Sequence, residues 1–382
     1  MIYDVVVVGL GVMGSSVAAN CSRRGLRVLG VERFWPVHDQ GASHGKTRLI
    51  RQAYFEHVAY VPLVLRSYEL WRDLEARTGK HLMTITGLLL AGKESTNVIA
   101  GSRRSAQRHA LPVEYLTSAD IARRFPMTRP HADEVGIFER EGGVIFPEAA
   151  VHALLRSAAD AGAQLRFGLR AIDWHRSGPR AIRVALDDGS AVEARCVVLT
   201  VGPWLASLTG QTGIPIKVQR NVQAWFAPHS SDFGADRFPA FLLDREGLTN
   251  VIYGMPDLGD GLKAAFHSRG IFVAPDLLER GIVDDDIAPI QTALEDWVPG
   301  AGRTFLNAKA CMYSLTPDEH FAIGPHPADG EIIVAGGFSG HGFKFAPVVG
   351  EIVGDLITER STRFDIGFLS PARFAQSSSI NG

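Results

Sequence analysis

Apolar residues along this chain fall into runs of two periods, and the order of those runs outlines its organisation. Residues 4–8, Asp4 followed by four valines, are β-branched, long enough for a buried parallel strand and too short for a helix. Residues 15–24 then read as a helix and residues 27–31 as a second strand closing on Glu32. Over 60–77 the spacing is helical, with Val61, Leu65, Tyr68, Leu70 or Trp71, and Leu74 on one face and Pro62 suited to the first turn. Residues 83–91 read as a strand, 95–109 as a helix, and Thr117-Ser118-Ala119-Asp120 as a capping box opening a short helix. A helix is predicted from Pro147 to 161, stopped by Gly162. Ile182, Val184 and Leu186 alternate toward the turn Asp188-Gly189, residues 191–194 continue as a hairpin partner, and 196–201 form another buried strand ending at Gly202. From 216 to 304 the strands are longer and richer in aromatics, as at 218–226, and an amphipathic helix over 284–298 starts with acids that suit its dipole. A last strand at 331–335 leads through a glycine-rich turn into a helix ending at Ile357, and only the tail after Ala375 reads as loose.

Composition narrows this picture. A chain of 382 residues exceeds one ordinary core, so two domains are expected. With 46 % hydrophobic and 21 % charged residues and a formal charge of −2, nothing in bulk attracts nucleic acid or an anionic membrane. No apolar run reaches the ~18 residues of a membrane span. The sequence enters its first strand without a basic leader, so a cytoplasmic location is expected. Three scattered cysteines, Cys21, Cys196 and Cys311, suit neither a disulfide framework nor a metal site.

Four stretches carry candidate chemistry. In Gly9-Leu10-Gly11-Val12-Met13-Gly14, between strand and helix, Gly9 allows the tight turn, Gly11 the approach of a pyrophosphate, and Gly14 close packing of helix on strand; Glu32 then stands where ribose hydroxyls are accepted, with Arg33 beside it. That is a dinucleotide site. Between Gly41 and Arg51 lie His44, Lys46, Arg48 and Arg51, either a solvated loop or a wall of donors near a cofactor or a carboxylate. Lys263 and His267, four apart, could simply decorate the solvent side of a strand and its turn. Gly202 and the turn from Gly336 to Phe345 offer further backbone contacts at the cofactor level, the second with a helix dipole facing a redox ring.

Taken together, the N-terminal fingerprint, residues 43–51, Cys311-Met312-Tyr313-Ser314-Leu315-Thr316-Pro317-Asp318-Glu319-His320-Phe321, and Gly337 to Phe345 resemble the monomeric sarcosine oxidases and N-methyl-tryptophan oxidases, within the D-amino-acid-oxidase-like flavoproteins. The resemblance implies an α/β plus α+β fold, with a Rossmann-like FAD-binding domain from residues 1–82, 145–215 and 312–382 and a mainly antiparallel-sheet substrate domain from 83–144 and 216–311. It implies FAD held covalently through Cys311, with Gly9, Gly11, Gly14, Glu32, Arg33, Ser43, His44, Thr47, Gly202, Gly340, Gly342, Phe343 and Lys344 around it. Arg51 and Lys344 match the pair that holds the substrate carboxylate, and Lys263 the lysine that activates dioxygen. His267 and Tyr253 match pocket residues, and His44 and Arg48 basic groups beside the ring. The implied protein is a monomer that oxidises the C–N bond of a secondary amino acid with dioxygen and releases hydrogen peroxide; a relative acting on a cyclic or bulky amine, a dehydrogenase, and a non-catalytic flavoprotein subunit are the alternatives. Lys46, residues 53–58 and Phe266 depart from the familiar pattern around the substrate's side chain, which bears on substrate identity and leaves the reaction type alone.

Overall fold

The computed structural model describes residues 2–375, so the tail beyond Ala375 lies outside the described residues. The valine run forms the strand Ile2–Val8, which pairs in parallel with Val28–Glu32 on one side and Ala191–Leu199 on the other. Asp329–Gly336 joins the same sheet in parallel with Ala191–Leu199, so residues from both ends of the chain build one layer. Gln164–Phe167 closes one edge, while the hairpin Ala171–Gly178 and Ala181–Leu186 extends the sheet on the other side. Three helices, Val12–Arg23, Pro147–Asp160 and Ala346–Thr358, pack together on one face. Pro147 takes the first helical position, as its missing N–H favours.

A second sheet of eight strands holds the middle of the chain, in the order Thr304–Leu315, Lys217–Ala227, Leu262–Phe266, Ile252–Met255, Ala240–Asp244, Leu88–Lys93, Glu134–Glu139 and Val113–Thr117. Every neighbouring pair is antiparallel except Ala240–Asp244 with Leu88–Lys93. Alternation decides what each face meets: Leu89 and Ala91 pack with Ile290, Leu294 and Trp297 of the helix Asp284–Trp297, whereas Leu88 and Leu90 pack with Val98 and Ile99 of Asn97–Arg108. Thr304–Leu315 is continuous in this sheet and runs through position 311, where the sequence places a domain boundary.

Two local expectations are revised. The run 83–91 is not one strand: Met83–Ile85 pairs with Gly143–Ile145 in a small three-stranded sheet with Arg48–Ile50, and Leu88–Lys93 enters the large sheet. The break is at Gly87, whose φ of +72° and contact with the Phe138 ring leave no room for a side chain. In Tyr60–Thr78 the buried stripe runs through Val61, Val64, Tyr68 and Trp71, so Val64 and Trp71 take the places that Leu65 and Leu70 could have held.

The second half also buries an ion pair. Arg245 grips both oxygens of Glu134 at 2.7 and 2.8 Å, with both side chains almost fully enclosed. Glu134→Ala removes two of the buried guanidinium's bonds, leaving it the Asp296 carboxylate and the Arg129 carbonyl, and should cost about 3 kcal/mol in urea denaturation followed by tryptophan fluorescence. Glu246→Ala, which removes an exposed partner of Lys93, should leave the midpoint where it is.

Candidate active site

One cavity of about 480 Å³ runs between the two sheets, from the glycine turn to the start of the last long helix. At its nucleotide end Gly9 has φ +90°, and a Cβ on Gly14 would lie 1.8 Å from the Gly9 carbonyl oxygen, so both glycines are required by the turn. The helix behind them starts at Gly11 without a side-chain cap, and Ser43 Oγ accepts the Val12 N–H at 3.1 Å. Glu32 accepts N–H bonds from Leu10 at 2.7 Å and Phe34 at 2.9 Å; burial pushes its carboxyl up, but His38 and those two bonds bring it below the usual value. Arg33 lines the same end, bonded to Asp276 at 2.6 Å, and Asp276 also accepts the Trp204 indole N–H at 2.9 Å. Gly202 forms the opposite wall with φ +55°.

Midway, the basic loop turns inward. His44 is buried with neither ring nitrogen partnered, and the Thr47 hydroxyl is also buried without a partner. Arg48 donates to the Ala42 carbonyl at 3.0 Å and Gln223 at 3.2 Å, and lies 3.6 Å from Cys311 Sγ. Burial raises the Cys311 thiol, but His44, Arg48 and Lys263 outweigh it and bring the group down to about 6. Cys21 and Cys196 are pushed up by burial, which outweighs the single arginine near each, Arg24 and Arg360, and takes Cys21 to about 12. Lys46 turns away and pairs with exposed Asp260, so it does not belong to the wall. Lys263 is 1 % exposed and stands behind the wall, donating to the carbonyls of Gly45 at 2.7 Å and Thr47 at 2.8 Å. Desolvation, with Arg48 adding to it, lowers it well below the ordinary lysine value. The solvent-side reading of Lys263 and His267 is therefore excluded: Lys263 is buried against the basic loop without lining the cavity, and His267 lines it.

At the far end two cations converge. Lys344 follows the turn in which Gly340, at φ +78°, presses on the Tyr313 ring; its Nζ donates to the His341 carbonyl at 2.8 Å and to Tyr54 Oη at 3.4 Å. Gly342 and Phe343 line the same turn, and Phe343 stacks on Trp71. Arg51 is gripped by the residues that follow it: Ala53 accepts at 3.2 Å, the Tyr54 and Phe55 rings lie 4.0 and 4.4 Å from its guanidinium, and Glu56 takes its Nη2 at 2.5 and 2.6 Å. Burial pushes the Glu56 carboxyl up, but Arg51 and nearby His341 outweigh it and hold it at about 2. Desolvation draws Lys344 down to about 7 and His267 to about 4. Tyr253, raised by burial, stays a phenol and completes the chamber.

Tyr54, Phe55, Glu56 and His341 were not among the residues the sequence singled out for roles. The signals available were the departure of residues 53–58 from the familiar pattern and a carboxylate five residues after an arginine, neither of which specifies a pair.

Residues 4–356 match the family of FAD dependent oxidoreductases, and the chain belongs to it. Among its relatives, the monomeric sarcosine oxidase of Streptomyces avermitilis is 41 % identical over 98 % of both chains. The N-methyl-L-tryptophan oxidase of Yersinia pestis is 34 % identical over 98 % of this chain and 100 % of that protein. Among solved structures, NikD, an unusual amino acid oxidase essential for nikkomycin biosynthesis, superposes with a TM-score of 0.84 at 27 % identity over 97 % of each chain.

The local charge at Cys311 leads to a direct expectation. In apoprotein at pH 7, iodoacetamide should label Cys311 ahead of Cys21 and Cys196, with a rate that rises through an inflection near 6 in peptide mass spectrometry.

Proposed function

We propose that this protein is an FAD-dependent oxidase of secondary amino acids, with an N-methyl amino acid such as sarcosine or an N-methyl aromatic amino acid as substrate and dioxygen as acceptor. The observation that carries the reading is the pair of buried cations, Arg51 and Lys344, on the wall of the chamber that also holds Tyr253 and His267. The names of the relatives at 34–41 % identity point the same way.

FAD fits the residues present. The glycine turn and Glu32 suit its nucleotide end, and Arg48, Cys311 and the turn from Gly340 to Lys344 line the cavity beyond it, with the buried His44 and Thr47 just behind that wall. Cys311, poised as a thiolate, is the residue to join it covalently through a thioether. When bound, the cofactor would supply the redox chemistry: it would accept a hydride equivalent from a C–H bond next to the substrate nitrogen, which with loss of the N–H proton turns C–N into an imine that water splits to amine and aldehyde, and would return the two electrons to dioxygen as hydrogen peroxide.

The chain's own side chains bind and orient. Arg51 already holds the Glu56 carboxylate through both bonds of its Nη2, and the substrate carboxylate competes for that place with Lys344 as the second donor. His267, neutral because burial disfavours its cation, and the Tyr253 phenol meet the amine end without repelling it. Lys263 stands behind Gly45 and Thr47, and its protonated form would supply the positive charge that favours the reduction of oxygen. The protein acts as a monomer in the cytoplasm.

Purified holoenzyme should release peroxide with sarcosine or an N-methyl aromatic amino acid in preference to proline and pipecolate. Its yellow colour should stay with the acid-precipitated pellet and wash out of Cys311→Ser. If none of these amines yields peroxide or bleaches the flavin anaerobically, the reading is wrong.

A further inference from the structure

Glu139 ends the strand Glu134–Glu139, paired with Leu88 on one side and Val113 on the other, and its side chain is 2 % exposed. Its Oε2 accepts the Gln52 N–H at 2.6 Å, while Oε1 is buried with no partner. A buried carboxylate with a free oxygen is costly and calls for a reason. Its surroundings supply one, because Gln52 directly follows Arg51 and the Ala53 N–H faces the same carboxylate.

Arg51 and Lys344 both lie within electrostatic reach of Glu139. The two cations do not share their partners equally. Glu56 serves Arg51 with two short bonds, whereas the Lys344 ammonium is bonded to neutral acceptors, the His341 carbonyl and the Tyr54 hydroxyl. The charges acting on Lys344 are Arg51, which opposes its proton, and Glu56 and Glu139, which favour it. The remaining titratable groups around the cluster are uncharged: burial holds His267 and His341 neutral, and Tyr54 and Tyr68 remain phenols. Burial raises the Glu139 carboxyl above its usual value, and the Gln52 and Ala53 N–H groups together with the two cations limit that rise without cancelling it.

We propose that Glu139 is a positioning residue of the carboxylate clamp: it fixes the turn behind Arg51 and supplies the second negative charge that keeps Arg51 and Lys344 side by side as cations before substrate arrives. The inference rests on the reading of that pair as the substrate-carboxylate site. Glu139 itself touches no substrate.

The test separates charge from shape. Acetate is titrated into holoenzyme between pH 5.5 and 9, and its dissociation constant is read from the visible flavin spectrum. In the wild type the constant should be flat below about 7 and rise above it, because Lys344 is protonated on the acid side and loses its charge on the alkaline side. Glu139→Gln keeps an acceptor for the Gln52 N–H and removes the charge. Its break should move to lower pH by half a unit or more, weakening binding on the order of threefold at pH 8 and leaving the acid-side value no weaker than wild type. Glu139→Asp should return the break toward the wild-type position. Superimposable profiles for wild type and Glu139→Gln, or a uniform weakening at every pH in both variants, would overturn the proposal. Failure of the wild type to bind acetate at any pH would remove the carboxylate-site reading and this inference with it.

Discussion

Holding two positive side chains together away from water is the constraint on which the rest of this molecule depends. Desolvating each ion costs several kcal/mol, so Arg51 and Lys344 stay buried only because their surroundings are arranged in advance. Much of that arrangement is local to residues 53–56, which enclose the Arg51 guanidinium with a carbonyl, two rings and a carboxylate. The enclosing loop is itself fastened to the helix Asn97–Arg108: Ser102 donates to the Ala53 carbonyl at 3.1 Å, Ser105 to that of Tyr54 at 2.5 Å, and Gly101 lets the Phe55 backbone approach where a Cβ would meet its carbonyl oxygen at 2.5 Å. From the other side, the Trp71 indole donates to the Lys344 carbonyl at 2.9 Å. Helices from both halves therefore brace one pair of charges.

The same logic recurs at Cys311. Lys263 reaches from the second sheet to the Gly45 and Thr47 carbonyls, so one buried lysine fastens the basic loop and, when protonated, adds to the positive field over the thiol. Folding and electrostatics are served by a single group, which makes the loop's inward turn and the thiol's low proton affinity inseparable. Lys46, on the same loop, escapes this because Asp260 gives it an exposed partner.

The nucleotide half was legible in the sequence because its signals are local. A valine run, glycines forced by a positive φ and an oxygen contact, and a proline at a helix start each act within a few residues of where they stand. The chamber was less legible. Whether Lys263 and His267 face water or a cavity depends on what packs over their strand, and spacing alone left that open until the second sheet was seen to close against the first. Glu139 carried no signal in the sequence and Glu56 stood only inside the departing stretch 53–58, since it is tertiary folding that turns both toward Arg51. The break between Met83–Ile85 and Leu88–Lys93 was hidden for a similar reason, since the ring that makes Gly87 necessary comes from Phe138.

The cavity wall draws on residue 9 at one end of the chain and residue 344 near the other, with the strand that carries Cys311 between them in the opposite sheet. No stretch emerging early from a ribosome contains a usable pocket, because the layer beneath it needs Asp329–Gly336 in place. The full wall of the cavity therefore exists only once the strand Asp329–Gly336 and the turn after it have joined the layer begun by Ile2–Val8.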